Sequence, residues 1–243
     1  MKKNVYAILV TIFTLVLTGI TSPVSAAYHD NATWSIEVNK DHHNKESLEK
    51  YKPLVLLEAK ELGIETEGKE IDTIAKEVFQ AKIMNMAEEM GISSDGKDIE
   101  ALKKEIHHQK VLEKAKELNI KTDGKETKEL AKEVYKEMLL RKADKLGIET
   151  KGKEIKELRE AVFSQVILNE ATELGIETEG KDTHELKGEI RNQQIHDTAK
   201  ELGLDVNDKD AEQLLQEIIT DHAAEAKERK LFPFREKTGM YHH

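Results

Sequence analysis

Six lysines stand at a spacing of 28 residues: Lys69, Lys97, Lys125, Lys153, Lys181 and Lys209. Each follows a glycine, except that Asp208 precedes the last, and each precedes an acid, from Glu70 to Asp210. A cation beside the free N–H groups of a helix start is the arrangement that holds phosphate. The six lysines are therefore candidate contacts for an anion or polymer such as teichoic acid. The competing reading makes them structural, paired with nearby carboxylates or capping loop carbonyls, and the acid beside each lysine favours that reading.

Other residues that could do chemistry fit their chemistry less well. Asp95-Gly96-Lys97-Asp98 and Asp123-Gly124-Lys125-Glu126 suggest a calcium loop. With Gly124 as its sixth residue, however, Lys121 and Leu130 occupy ligand places, which defeats an EF-hand. The ten histidines include the pairs His42-His43, His107-His108 and His242-His243. Helix neighbours point about 100° apart, so His107-His108 is poor chelation geometry. A partly buried ring at His107 is expected, because Phe79, Tyr135 and Phe163 hold the same place in other copies. No zinc-ligand spacing, phosphate-binding glycine loop or nucleophile–base arrangement stands out, and the special residues are copied where an active site is unique. An enzyme is not expected, and no cofactor or metal is assigned.

These residues recur because the chain is an array. Aligned on Gly63, Gly91, Asn119, Gly147, Gly175 and Gly203, six copies repeat every 28 residues, with alanine four positions before each anchor from Ala59 to Ala199. A second glycine follows each anchor by five residues, from Gly68 to Gly180, until Asp208 replaces it. Between loops, as in Glu70 to Met90, there is no proline or glycine, and alanine, leucine, glutamate and lysine dominate, predicting a helix of about 20 residues. The anchor glycine suits a left-handed helix C′ position, which asparagine also tolerates. The acids from Glu70 to Asp210 suit the next first turn, where the helix dipole favours negative charge.

Within a helix, Ile71, Ile74 and Val78 cluster on one side, while Ile83, Ala87 and Met90 cluster on another. The first half of each helix is expected to pack on the preceding helix and the second half on the following one. The loop aliphatics Ile64, Ile92, Ile120, Ile148, Ile176 and Leu204 are expected to plug the small cores between them. The fold class is therefore all-α, six 28-residue repeats of about 20-residue helices joined by short glycine-containing extended loops.

Leu62-Gly63-Ile64-Glu65-Thr66-Glu67-Gly68-Lys69 and its copies resemble the SAP-type helix–extended loop–helix motif over about ten residues. The leucine-glycine-aliphatic start and the second glycine fit, while the first apolar pair after that glycine sits one position late. The resemblance implies a local shape. In that family it also implies nucleic-acid binding through basic residues, which the acidic balance of this chain disfavours.

Composition bounds the rest. The 243 residues include 48 acidic and 38 basic side chains, no cysteine, three prolines and only 5% aromatics. Thin, locally packed helical units suit such a chain better than one thick core. Met1-Lys2-Lys3, an apolar stretch to Ile20, and Val24-Ser25-Ala26 read as a secretory signal peptide cleaved after Ala26, with no stable membrane span afterwards. Cleavage removes Lys2 and Lys3 and no acid, taking the formal charge from −10 to −12 and disfavouring a polyanionic partner overall. Asn31-Ala32-Thr33 matches a glycosylation sequon, discounted because the signal and the Lys/Glu-rich body look bacterial.

The expected organisation is a signal peptide (1–26), a polar lead (27–52), a repeat array of seven helices and six loops (53–230), and a tail (231–243). The expected role is a structural or adhesive surface in the cell envelope or spore layers of a Gram-positive bacterium, with a protein or envelope component as partner. The alternative is a SAP-like module binding nucleic acid or an anionic wall polymer through the six lysines.

Overall fold

The computed structural model describes residues 49–235. The signal peptide, most of the polar lead, the sequon, and the histidine pairs at 42–43 and 242–243 lie outside the described residues. Among the described residues there are eight helices and no strands. They are α1 (Lys52–Glu61), α2 (Ile71–Glu89), α3 (Ile99–Glu117), α4 (Thr127–Lys145), α5 (Ile155–Glu173), α6 (Thr183–Glu201), α7 (Ala211–Asp221) and α8 (Ala223–Glu228). Helices α2 to α6 are each 19 residues long, one per repeat. The seventh expected helix is divided at His222, where the backbone leaves helical geometry and α8 begins. No described helix is long and apolar enough to cross a membrane.

Each helix ends in the same way. The Gly63 N–H donates to the Lys60 carbonyl and the Ile64 N–H donates back to Ala59 at 2.8 Å, the paired bonds of a Schellman motif, with Gly63 at φ +68°. The same bond from loop aliphatic to alanine recurs in all six copies at 2.8–2.9 Å. Asn119 accepts the left-handed position at φ +59°, and Asp208 does so in the second turn at φ +58°. The following acid starts the next helix as its N-cap: Asp98, Asp182 and Asp210 accept backbone N–H bonds, and Glu154, Asp182 and Asp210 complete capping boxes.

Neighbouring helices run in the same sense. Between α2 and α3, Lys103 stacks over Phe79 and, about two turns further along both helices, Lys110 reaches Met86. Between α5 and α6, Lys187 stacks over Phe163 and Gln194 reaches Glu170. Every partner lies 24 residues on, so contacts advance together along both helices, whereas antiparallel partners would move in opposite directions. The four-residue offset from the 28-residue repeat leaves the loop to bring the chain back by about 22 Å, which the nine residues from Leu62 to Glu70 can span. This is why the connection is extended and not a tight hairpin.

The cores are six small clusters, each built from the second half of one helix and the first half of the next. Leu139 and Ala143 meet Leu158 and Val162, and Ile167 and Ala171 meet Leu186 and Ile190. All six repeat alanines are fully buried, which lets the helices approach closely. The loop aliphatics differ from expectation. They pack at the rim of each cluster and are half-buried, because the alanine and the two aliphatics of the following helix already fill the centre.

The array also meets itself. Leu54 of α1 is buried with Leu214, Leu215, Ile218 and Ile219 of α7 and with Ala223 and Ala226 of α8. Tyr51, Leu57, Phe232 and Phe234 pack around them. The Phe232 N–H donates to the hydroxyl of Thr198, the buried polar residue of this cluster. Charged pairs, Lys50 with Glu212 and Lys227 with Glu61, flank the junction.

Candidate functional site

Five of the six loop lysines, Lys69 to Lys181, are placed by a turn in which the lysine N–H donates to the threonine or serine carbonyl three residues earlier, as in Lys69 to Thr66. The loops deliver five of the six ammonium groups to a glutamate two helical turns into the next helix. These pairs are Lys69–Glu77 (2.6 Å), Lys97–Glu105 (2.5 Å), Lys125–Glu133 (2.5 Å), Lys181–Glu189 (2.6 Å) and Lys209–Glu217 (2.6 Å). The eight-residue spacing spans the loop end and the first two helical turns, so each pair ties a loop to the helix it starts. Lys153 is the exception. Ala161 stands where the other copies have glutamate, and Lys153 is exposed and forms no ion pair among the described residues.

The carboxylates near the loops respond to the same local geometry. Backbone N–H groups of Glu185 and His184 hold the Asp182 carboxyl below its ordinary range, and the Asn207 N–H does the same for Asp205. Both groups are capping or turn acids whose charged form the backbone stabilises. The lysines with altered ionisation lie elsewhere. Burial pushes Lys110 down, opposed by Glu113 and Glu89, and burial followed by the adjacent Lys145 pushes Lys142 down. Lys110 Nζ contacts the thioether of Met86 at 2.8 Å.

The histidines are not gathered. His107 is exposed, contrary to the expected partly buried ring, because the facing place on the next helix is the small Ala131. His108 Nδ1 lies 2.6 Å from the Thr127 hydroxyl. Among the described residues, no group of three or more His, Asp or Glu side chains is placed to hold a metal ion. An open depression of about 460 Å³ lies beside the second loop between Met84 and Asp95, and its charged lining groups, Glu88 and Asp95, are exposed.

A feature overlooked in the sequence is a basic face on the first halves of α4, α5 and α6. Helix positions two, five, six and nine lie on one side, at spacings of three, four and seven residues. On these helices they carry Lys128, Lys132, Lys156, Arg159, Lys187 and Arg191 against a single carboxylate, Glu160. The signal lay in positions that vary between copies, such as Asp72, Glu100, Lys128, Lys156, His184 and Glu212, whereas the repeat is recognised from the positions that do not.

Searches of protein-family models, of curated proteins and of solved structures find no match to the chain.

Proposed function

We propose that this chain is an exported, non-enzymatic helical repeat protein that forms a structural or interaction surface in the bacterial cell envelope or spore layers. The observation that carries the reading is the reuse of one loop-and-core unit six times, with its lysine, capping acid and buried alanine repeated each time. Repetition multiplies a surface, whereas catalysis concentrates unlike groups at one place. The five ion pairs at the loop lysines favour a structural role for those residues over the alternative of a SAP-like anion or nucleic-acid site.

Fractionation of the native bacterium tests this reading. The protein is expected in the envelope or spore-coat fraction with Ala27 at its N-terminus. A cytoplasmic protein beginning at Met1 would overturn it. Cross-linking in that fraction, followed by identification of the attached component, would name the partner.

A further inference from the structure

In a chain whose acids outnumber its bases by 48 to 38, uncompensated cations are the unusual feature. The loop lysines are mostly neutralised by their glutamates. On the first halves of α4 to α6 the opposite holds: Lys128, Lys132, Lys156 and Arg159 are exposed and form no ion pair among the described residues, and Lys187 lies over the ring of Phe163, at 5.4 Å. Arg191, paired with Glu212 at 3.0 Å, marks one edge of the face. Toward both ends of the array position two takes an acid instead: Asp72 on α2 and Glu100 on α3, which pair with Lys76 and Lys103 of the same face, and Glu212 on α7.

We propose that this face binds a linear polyol-phosphate polymer outside the cell. The inference rests on the envelope reading above and names a ligand class for it. Charge complementarity is local, because on this face of an acidic molecule six cations stand against one carboxylate, Glu160. The parallel helices then set the shape: each contributes two cations, Lys128 and Lys132, Lys156 and Arg159, and Lys187 and Arg191, and neighbouring pairs are separated by about the usual interaxial distance of 8–10 Å. A linear polymer of repeating charge can occupy such a face at several weak contacts together. The rings on the face do not suit bases. Phe163, 41% exposed, already has Lys187 over its ring, and Tyr135 is half-buried, so free stacking platforms of the kind single-stranded nucleic acids use are lacking here.

The native protein is titrated with synthetic poly(glycerol phosphate), with an oligothymidylate of matched phosphate count, and with an uncharged chitin oligosaccharide. Binding to poly(glycerol phosphate) is expected to be strongest and to weaken steeply with salt. The triple change Lys156→Gln, Arg159→Gln, Lys187→Gln should weaken it about tenfold or more near 50 mM salt and flatten the logarithmic salt slope by roughly 2. Lys125→Gln with Lys181→Gln, which changes only ion-paired loop lysines, should leave it unaltered, and Arg159→Lys with Lys187→Arg should retain it even if the glutamine variant loses helicity. Absence of binding by the native protein, undiminished binding by a folded triple variant, loss of binding in the charge-retaining variant, or tighter binding of the oligothymidylate would each overturn the inference. The proposed function would be left standing if the protein still fractionates with the envelope.

Discussion

Lys50 and Glu212, near opposite ends of the described chain, form an ion pair, and Arg191 reaches the same carboxylate at 3.0 Å. Glu212 is thus the point where the approach to α1, the middle of α6 and the start of α7 are held together. The hydrogen bond from Lys50, and secondarily that from Arg191, keeps the Glu212 carboxyl below its ordinary range. A carboxyl depressed in the folded state contributes stability above its unfolded value of about 4.3, and that contribution is lost as pH falls through the lower folded value. Glu212→Gln should therefore lower the urea midpoint near neutral pH, and its difference from wild type should vanish in acid below the ordinary carboxylate range. A difference independent of pH would show that the charge on Glu212 is not what holds this junction.

The junction itself can be opened. Ending the chain after Asp221 removes Ala223 and Ala226 and uncovers the Leu215 and Ile219 face that meets Leu54. Hydrogen exchange should then show α1 and α7 losing protection while α3 and α4 keep theirs, because repeats contact mainly their neighbours. Equal loss along all helices would show that the junction stabilises the whole array cooperatively.

Leu158 is 1% exposed at the centre of the cluster between α4 and α5, whereas Ile148 sits at its rim. Leu158→Ala should cost about 2–5 kcal/mol through lost burial and the cavity left behind. Ile148→Asp should cost less, on the order of 1–3 kcal/mol, since a half-buried carboxylate can turn toward water. Denaturant unfolding of both variants ranks them, and a larger loss at Ile148 would place the loop aliphatic at the centre of the core after all.

Two glycines should respond oppositely to alanine. Gly152 has φ +77°, so Gly152→Ala should destabilise by about 1–2 kcal/mol. Gly188 lies inside α6 with open space around its missing side chain, so Gly188→Ala should stabilise by roughly 0.5–1 kcal/mol. Thermal unfolding of each variant gives the sign directly.

The parts legible in the sequence are those that every copy repeats. The left-handed residues at Gly63 and Asn119, the capping acids, and the two apolar sets of each helix lie in fixed columns, and each is satisfied within one loop and its two helices. What escaped is what breaks the columns. Leu54 and Leu57 in α1, and Leu215 in α7, are apolar where most other copies carry polar or charged residues, and with Ile219 they form the junction between the ends. The common direction of the helices was not stated in advance either, since periodicity reports which faces are apolar and not how two helices are oriented. The eight-residue ion pairs were anticipated only as local pairing, because the partner becomes specific once the loop brings the lysine over the second turn of the next helix.

Near-identical units in tandem invite unequal exchange during replication, by which a descendant gains or loses whole copies. An open solenoid absorbs such events as a change in length. Here Leu54 must still find Leu215 and Ile219, and Lys50 must still find Glu212, after the intervening helices have carried the chain around. The meeting of the ends therefore acts as a counting device: a lineage with five or seven units would present two mismatched apolar faces to water, and selection against that exposure would hold the copy number at six.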